Sequence, residues 1–141
     1  MKEDRKVLIL TDGDTSSQKL AQGIADAVES LAIKGCTVFQ VKSAAFSGTD
    51  LLCADTFFVG CATESPASFN YIETLFGHIN LAGRSCGIFS CNSKAIEYLS
   101  GILQDSEVFV GKPLLAKDGK LDGKEIQEWV KSILLKGAGR G

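Results

Sequence analysis

Asp12-Gly13-Asp14-Thr15-Ser16-Ser17 places two carboxylates and three hydroxyls in one short stretch, directly after the apolar run Val7 to Leu10. A helix that begins here turns its unpaired N–H groups and the positive end of its dipole toward the stretch, and together with the hydroxyls they form a seat for an anion. Asp12 and Asp14 oppose that chemistry if they face the same hollow, because like charges about 4 Å apart repel by on the order of a few kcal/mol near a protein surface. Two other readings use the same residues. Thr15-x-x-Gln18 is a capping-box pattern, in which Thr15 serves only the backbone of its own helix. The two carboxylates are also oxygen ligands suited to a hard cation, although acids in a loop are more often solvated turn residues.

Five cysteines, Cys36, Cys53, Cys61, Cys86 and Cys91, make an odd set without a C-x-x-C pair, which suits neither a disulfide framework nor a structural zinc site. Reduced thiols that pack as small hydrophobes are the expectation. His78 is the only histidine and falls on a predicted helix away from the loops, where a structural role is expected of it. No hydrolase elbow, glycosidase carboxylate pair or nucleotide P-loop can be assembled from the remaining residues.

The elements that position these residues alternate along the chain. Val7 to Leu10 is continuously apolar, as in a strand buried on both faces, and Leu20, Ile24, Val28 and Leu31 mark a helix from Ser16 to about Ile33, with Gly35 placed to end it. Thr37 to Val41 and Thr56 to Gly60 are the next strands. Ser65-Pro66 reads as a helix start, with Phe69, Ile72, Phe76 and Ile79 on one face. Ser85 to Cys91 is a fourth strand, Ser93 to Leu103 a helix and Val108 to Val110 a fifth strand. Asp122-x-x-Glu125 opens a last helix striped by Ile126, Trp129, Val130, Ile133 and Leu134. This order predicts one α/β domain over residues 1–136, a parallel sheet covered on both faces, and a flexible tail from Gly137 to Gly141. Open sheets of this kind bind ligands at the carboxyl ends of their strands, here Thr11 to Ser17, Gly60 to Ser68, Cys91 to Ser93 and Gly111 to Lys117.

Composition narrows the partners. With 141 residues, 45% of them hydrophobic, the chain can bury one core. Fifteen Lys and Arg against seventeen Asp and Glu, with no basic cluster interleaved with aromatics, speak against nucleic acid. The first apolar run is far shorter than a membrane span, so a cytoplasmic protein without a membrane partner is expected.

Gly60-Cys61-Ala62-Thr63-Glu64-Ser65-Pro66, followed after a helix by Leu81-Ala82-Gly83-Arg84-Ser85-Cys86-Gly87-Ile88-Phe89-Ser90, resembles the middle of a flavodoxin. That family carries a G-S-P-T-aromatic loop after strand three and an L-x-G-K-x-x-x-x-F-S segment leading into strand four. Lys6 to Leu10, Asp50 to Asp55 and the closing helix are similar in order and spacing. The resemblance implies a three-layer sandwich with five parallel strands in the order 2-1-3-4-5. It also implies flavin mononucleotide (FMN) as cofactor and a redox partner protein. In that scheme the phosphate lies at Asp12, Gly13, Asp14, Thr15, Ser16 and Ser17, and the ring lies beside Cys61, Ala62, Thr63 and Glu64 and beside Cys91, Asn92 and Ser93.

Three departures fall on those positions. The family's phosphate loop resembles T-x-T-G-x-T, whereas here Asp12-Gly13-Asp14-Thr15-Ser16-Ser17 keeps hydroxyls at Thr15, Ser16 and Ser17 but adds two carboxylates. Glu64 replaces the stacking aromatic, and Cys91-Asn92-Ser93-Lys94 offers neither an aromatic nor a glycine. Tyr71, and less so Phe69, are the nearby rings. The acidic pair with Lys112-Pro113 is similar to a response-regulator receiver domain, but that reading lacks its phosphoacceptor because Gly60 and Cys61 end strand three. Strands three and four are neighbours in a flavodoxin, so Cys61 and Cys91 form a redox-responsive pair if both point to one face, against the alternative of two unrelated buried thiols. Two functions follow: an FMN electron carrier with weakened or conditional binding, or an interaction or regulatory module on a scaffold that no longer binds FMN.

Overall fold

A computed structural model describes residues 5–30, 36–49, 54–64, 66–116 and 123–139. Val7 to Leu10 are all fully buried, as a strand flanked by neighbours and covered on both sides must be. They lie in β1 (Arg5–Thr11), which pairs in parallel with both β2 (Cys36–Lys42) and β3 (Thr56–Gly60). β4 (Ser85–Ser90) follows β3, and the order is β2-β1-β3-β4-β5, the five-stranded parallel arrangement anticipated from the sequence.

The outer strand departs from expectation. Phe109 and Val110 (β5) pair with Ser85 and Cys86, whereas Leu114 and Leu115 (β6) pair with Phe89 and Ser90. From Val110 to Leu114 is one step longer than from Cys86 to Phe89, so the ladder breaks around a single extra residue at Gly111-Lys112-Pro113. Pro113 has no N–H to give a ladder, and the Lys112 carbonyl is taken instead by Trp129 Nε1 at 2.6 Å.

Among the described residues the sheet is covered by α1 (Thr15–Ser30), α2 (Asn70–Phe76), α3 (Ser93–Leu103) and α4 (Gly123–Gly139). The segment after Pro66 starts later than predicted. Pro66 is extended (ψ 145°), a 3-10 turn occupies Ala67–Phe69, and only then does α2 begin. Ser65, Gly35 and Asp122, which carried helix-boundary expectations, lie outside the described residues. α4 continues through Gly137 and Ala138 to Gly139, past the end read from the sequence.

Strand parity divides the core. Leu8, Leu10, Phe57, Val59, Cys61, Cys86 and Ile88 meet Phe69, Ile72 and Phe76 and the inner face of α3. Val7, Ile9, Phe58 and Phe89 meet α1 and α4, where Ile24, Trp129, Val130 and Ile133 pack. A Cβ on Gly87 would lie 2.7 Å from the Phe58 ring and 2.8 Å from Trp129, so the aromatic pair reaches the sheet only because that position has no side chain. Among the described residues no helix is long and apolar enough to cross a membrane.

Candidate functional site

Three loops converge at the carboxyl edge of β1, β3 and β4. The first begins at Thr11, whose Oγ1 accepts the Gly13 N–H at 3.3 Å, and turns at Gly13, which has a φ of 88° that an L side chain rarely adopts. Asp12 then spans two loops: Oδ1 accepts the Asp14 N–H at 3.2 Å and Oδ2 accepts the Ala62 N–H at 2.9 Å. Asp14 is the cap of α1. Its carboxylate accepts the Ser16 N–H at 3.0 Å and the Ser16 hydroxyl at 2.7 Å, while its carbonyl accepts Gln18 N at 2.9 Å. The Ser16 hydroxyl, and then the Ser16 N–H, hold the Asp14 carboxyl below its ordinary range.

The Thr15-x-x-Gln18 expectation is therefore corrected by one residue. Thr15 is exposed, Asp14 caps, and Gln18 Nε2 donates to the Gly13 carbonyl at 2.8 Å. The reason is that a carboxylate competes better than a hydroxyl for the free N–H groups of a helix start. Ser17 is 2% exposed and its Oγ has no hydrogen-bond partner.

The loops after β3 and β4 are tied to each other. Ser90 Oγ donates to the Cys61 carbonyl at 2.6 Å and accepts the Asn92 N–H at 3.0 Å. Asn92 Nδ2 donates to the Ala62 carbonyl at 3.2 Å, and its Oδ1 caps α3 through Lys94 N at 2.9 Å. Both polar backbone groups of Ala62 are thus held, one by Asp12 and one by Asn92. That Asn92 would cap α3 is readable from an Asn before a helix; its reach to Ala62 is not, because it depends on how β3 and β4 align.

Cys61 and Cys91 do not form a pair. Cys61 shares the parity of Phe57 and Val59 and is buried on the α2–α3 face, where its Sγ donates to the Thr63 carbonyl at 3.2 Å. Burial, and then the Asp12 charge, push this thiol up to about 12. Cys91 continues the parity of Phe89 on the opposite face, with Sγ 3.6 Å from Ser16 Oγ. The condition for a bridge, that both point to one face, fails. The Thr63, Glu64 and Ser93 side chains are exposed. Phe69 is fully buried beside Tyr98, so it is a core residue, and Tyr71, 53% exposed, leans on Phe46. His78 Nδ1 donates to the Thr74 carbonyl at 2.8 Å, a contact at the end of α2. The described residues include no group of three His, Cys, Asp or Glu able to hold a metal ion.

No family model matches this sequence, and no curated protein matches it. Solved structures do. A short-chain flavodoxin associated with a PDU bacterial microcompartment has a TM-score of 0.77 at 12% identity, covering 94% of this chain and 99% of that one. A Streptococcus pneumonia flavodoxin gives 0.75 at 14%, covering 93% and 98%, and a flavodoxin from the domain Archaea gives 0.73 at 19%, covering 94% and 99%. The fold is that of the flavodoxins.

The residues at the edge do not fit FMN as that resemblance implies it. Two of the donors a phosphate would take at α1, the N–H and hydroxyl of Ser16, are already bound by Asp14, and a second carboxylate, Asp12, accepts the Asp14 N–H beside them. Residues 61–64 and 91–94 contain no ring to stack on a flavin. The Ser17 hydroxyl is buried with nothing bound to it.

Proposed function

We propose that this chain is a flavodoxin-fold interaction module, in the cytoplasm, that engages a partner protein through its carboxyl-edge loops and keeps no resident FMN. The observation that carries this reading is the self-contained bonding of the edge: Asp12 and Asp14 hold the N–H groups of Asp14, Ser16 and Ala62 with this chain's own negative charge. A phosphate dianion brought to the same donors meets two carboxylates at close range, and like charges there outweigh the helix dipole. Loops fixed to one another in this way lose little conformational freedom when a partner docks on them.

One observation favours the alternative, an electron carrier with conditional FMN binding and a redox partner. Ser17 is one of the three hydroxyls that the loop keeps, and it is buried without a partner. The absorption spectrum of the purified full-length protein, before and after incubation with FMN, separates the two. A colourless protein that leaves micromolar FMN fluorescent is the expected result; a yellow protein that quenches flavin fluorescence overturns it.

A further inference from the structure

We propose that the outer edge of β2 is a self-pairing surface, on which a second copy of this chain adds its own β2 in antiparallel so that two sheets become one. The surface lies at the side of the sheet, apart from the loops after β3 and β4, so it stands or falls independently of the reading above.

The two edges of the sheet are built differently. At one, β5 and β6 are two residues each and are broken by the bulge at Gly111-Lys112-Pro113, where Pro113 has no N–H to offer a further strand. At the other, β2 runs unbroken for seven residues, Cys36-Thr37-Val38-Phe39-Gln40-Val41-Lys42, without Gly or Pro. Among the described residues it pairs only with β1, which leaves its other side as a row of unmatched N–H and C=O groups. Val38 on the α1 face, and Phe39 and Val41 on the opposite face, are only half-buried, so apolar surface flanks that row above and below. An extended strand satisfies both the ladder and its flanks.

Charge selects a second copy as that strand. α1 returns between two parallel strands and so runs opposite to β2, and Gln40 Nε2 donates to Gln22 Oε1 at 3.2 Å, which fixes the level of the helix over the strand. Glu29 lies two turns further along the same exposed helix face, about 10.5 Å toward the amino end of β2, and is therefore level with Thr37 at about 3.3 Å per strand residue. The edge thus carries an exposed carboxylate at its amino end and the exposed Lys42 at its carboxyl end. Lys19 and Asp26, also exposed, follow the same order along α1. Two β2 strands paired about a two-fold axis at Phe39 set Thr37 opposite Val41, Val38 opposite Gln40 and Phe39 opposite itself, with each facing pair on one face of the joined sheet. The axis brings Lys42 of each copy to the level of Glu29 of the other, and it keeps the two Lys42 side chains about 20 Å apart along the strands.

The test is sedimentation equilibrium of the full-length protein over a range of concentrations, comparing wild type with Glu29→Lys, Lys42→Glu and the double exchange Glu29→Lys/Lys42→Glu. Both positions are exposed, and circular dichroism checks that each variant keeps the fold. Wild type is expected to dimerise. Each single exchange sets like charges against each other at two symmetric places and is expected to weaken the dimer by about tenfold, and the double exchange is expected to restore it. Within one chain the two residues stand at opposite ends of the edge, so restoration reports an antiparallel contact between copies. A wild type that stays monomeric at every concentration overturns the proposal, as does a dimer indifferent to both single exchanges or one that the double exchange fails to restore.

Discussion

The two faces of the sheet are packed by different rules. Toward α2 and α3, the strands present Phe57, Val59, Cys61, Cys86 and Ile88, and the helices answer with residues of similar size. Toward α1 and α4, a large ring is seated over a strand position that carries no side chain, as Phe58 and Trp129 are over Gly87. The first face tolerates volume-conserving exchange; the second is fixed by a steric fit that a single methyl disturbs. The carboxyl edge, where both faces end, is held by polar bonds instead, and its two cysteines belong one to each face.

The largest expected effect tests that separation. With its thiol held up to about 12 by burial and the Asp12 charge, Cys61 has a thiolate fraction roughly a thousandfold below that of a free cysteine, at the ordinary tenfold per pH unit. Iodoacetamide at neutral pH, followed by peptide mass mapping, should leave Cys61 unmodified in folded protein and label it in denaturant. Mild oxidation should yield no Cys61–Cys91 bridge in the monomer. Appearance of that bridge would place both thiols on one face and break the comparison.

A middle-sized effect concerns the fit over Gly87. Gly87→Ala introduces a methyl against Phe58 and Trp129 and should cost about 1–3 kcal/mol, read from the midpoint of urea unfolding. Gly101, on the exposed side of α3 with no atom within 4 Å of its added Cβ, provides the control. Gly101→Ala should gain roughly 0.5–1 kcal/mol from helix propensity. Equal and small shifts in both would mean that the α4 face is no tighter than an open surface.

The smallest effect belongs to the edge and concerns pH. Asp14 has a carboxyl lowered by its bonds to Ser16, so the folded state favours the ionised form. The resulting stability is complete above the unfolded carboxyl's range and is lost as pH falls through the folded value, below the ordinary 3.8. Asp14→Asn, which caps without charge, should be less stable than wild type at neutral pH by about 0.5 kcal/mol. In thermal unfolding followed from neutral pH to pH 2, the two should converge at the acid end. A difference that persists there would assign the cap's value to shape alone.

Much of the scaffold is legible in residue order. The apolar run Val7 to Leu10 marks the central strand because a strand with neighbours on both sides and helices above and below buries every residue, and a run of four is too short for a buried helix. Thr56 to Gly60 and Ser93 to Leu103 are found within the bounds read from their patterns. The split of the outer strand was not legible: Val108 to Val110 carries a strand pattern, but the extra residue at Gly111 to Pro113 appears only when Val110 and Leu114 are set against Cys86 and Phe89. Pro66 misled for a local reason, since proline suits both the first turn of a helix and an extended residue before one.

By itself the sequence determined that a loop of hydroxyls and carboxylates opens a helix beside the central strand, and that rings are missing from the two loops next to it. Those are matters of composition and spacing. Only the tertiary structure decided what the carboxylates do. Asp12 and Asp14 are equivalent as residue types two positions apart, yet one reaches fifty residues along the chain to Ala62 and the other folds back on Ser16. Register likewise decided the fate of the cysteines, because side chains alternate across a strand, and Cys61 and Cys91 follow neighbouring strands in opposite phase. A hydrogen bond or a disulfide depends on direction as well as proximity, and direction is set by the packing of elements that lie far apart in the chain.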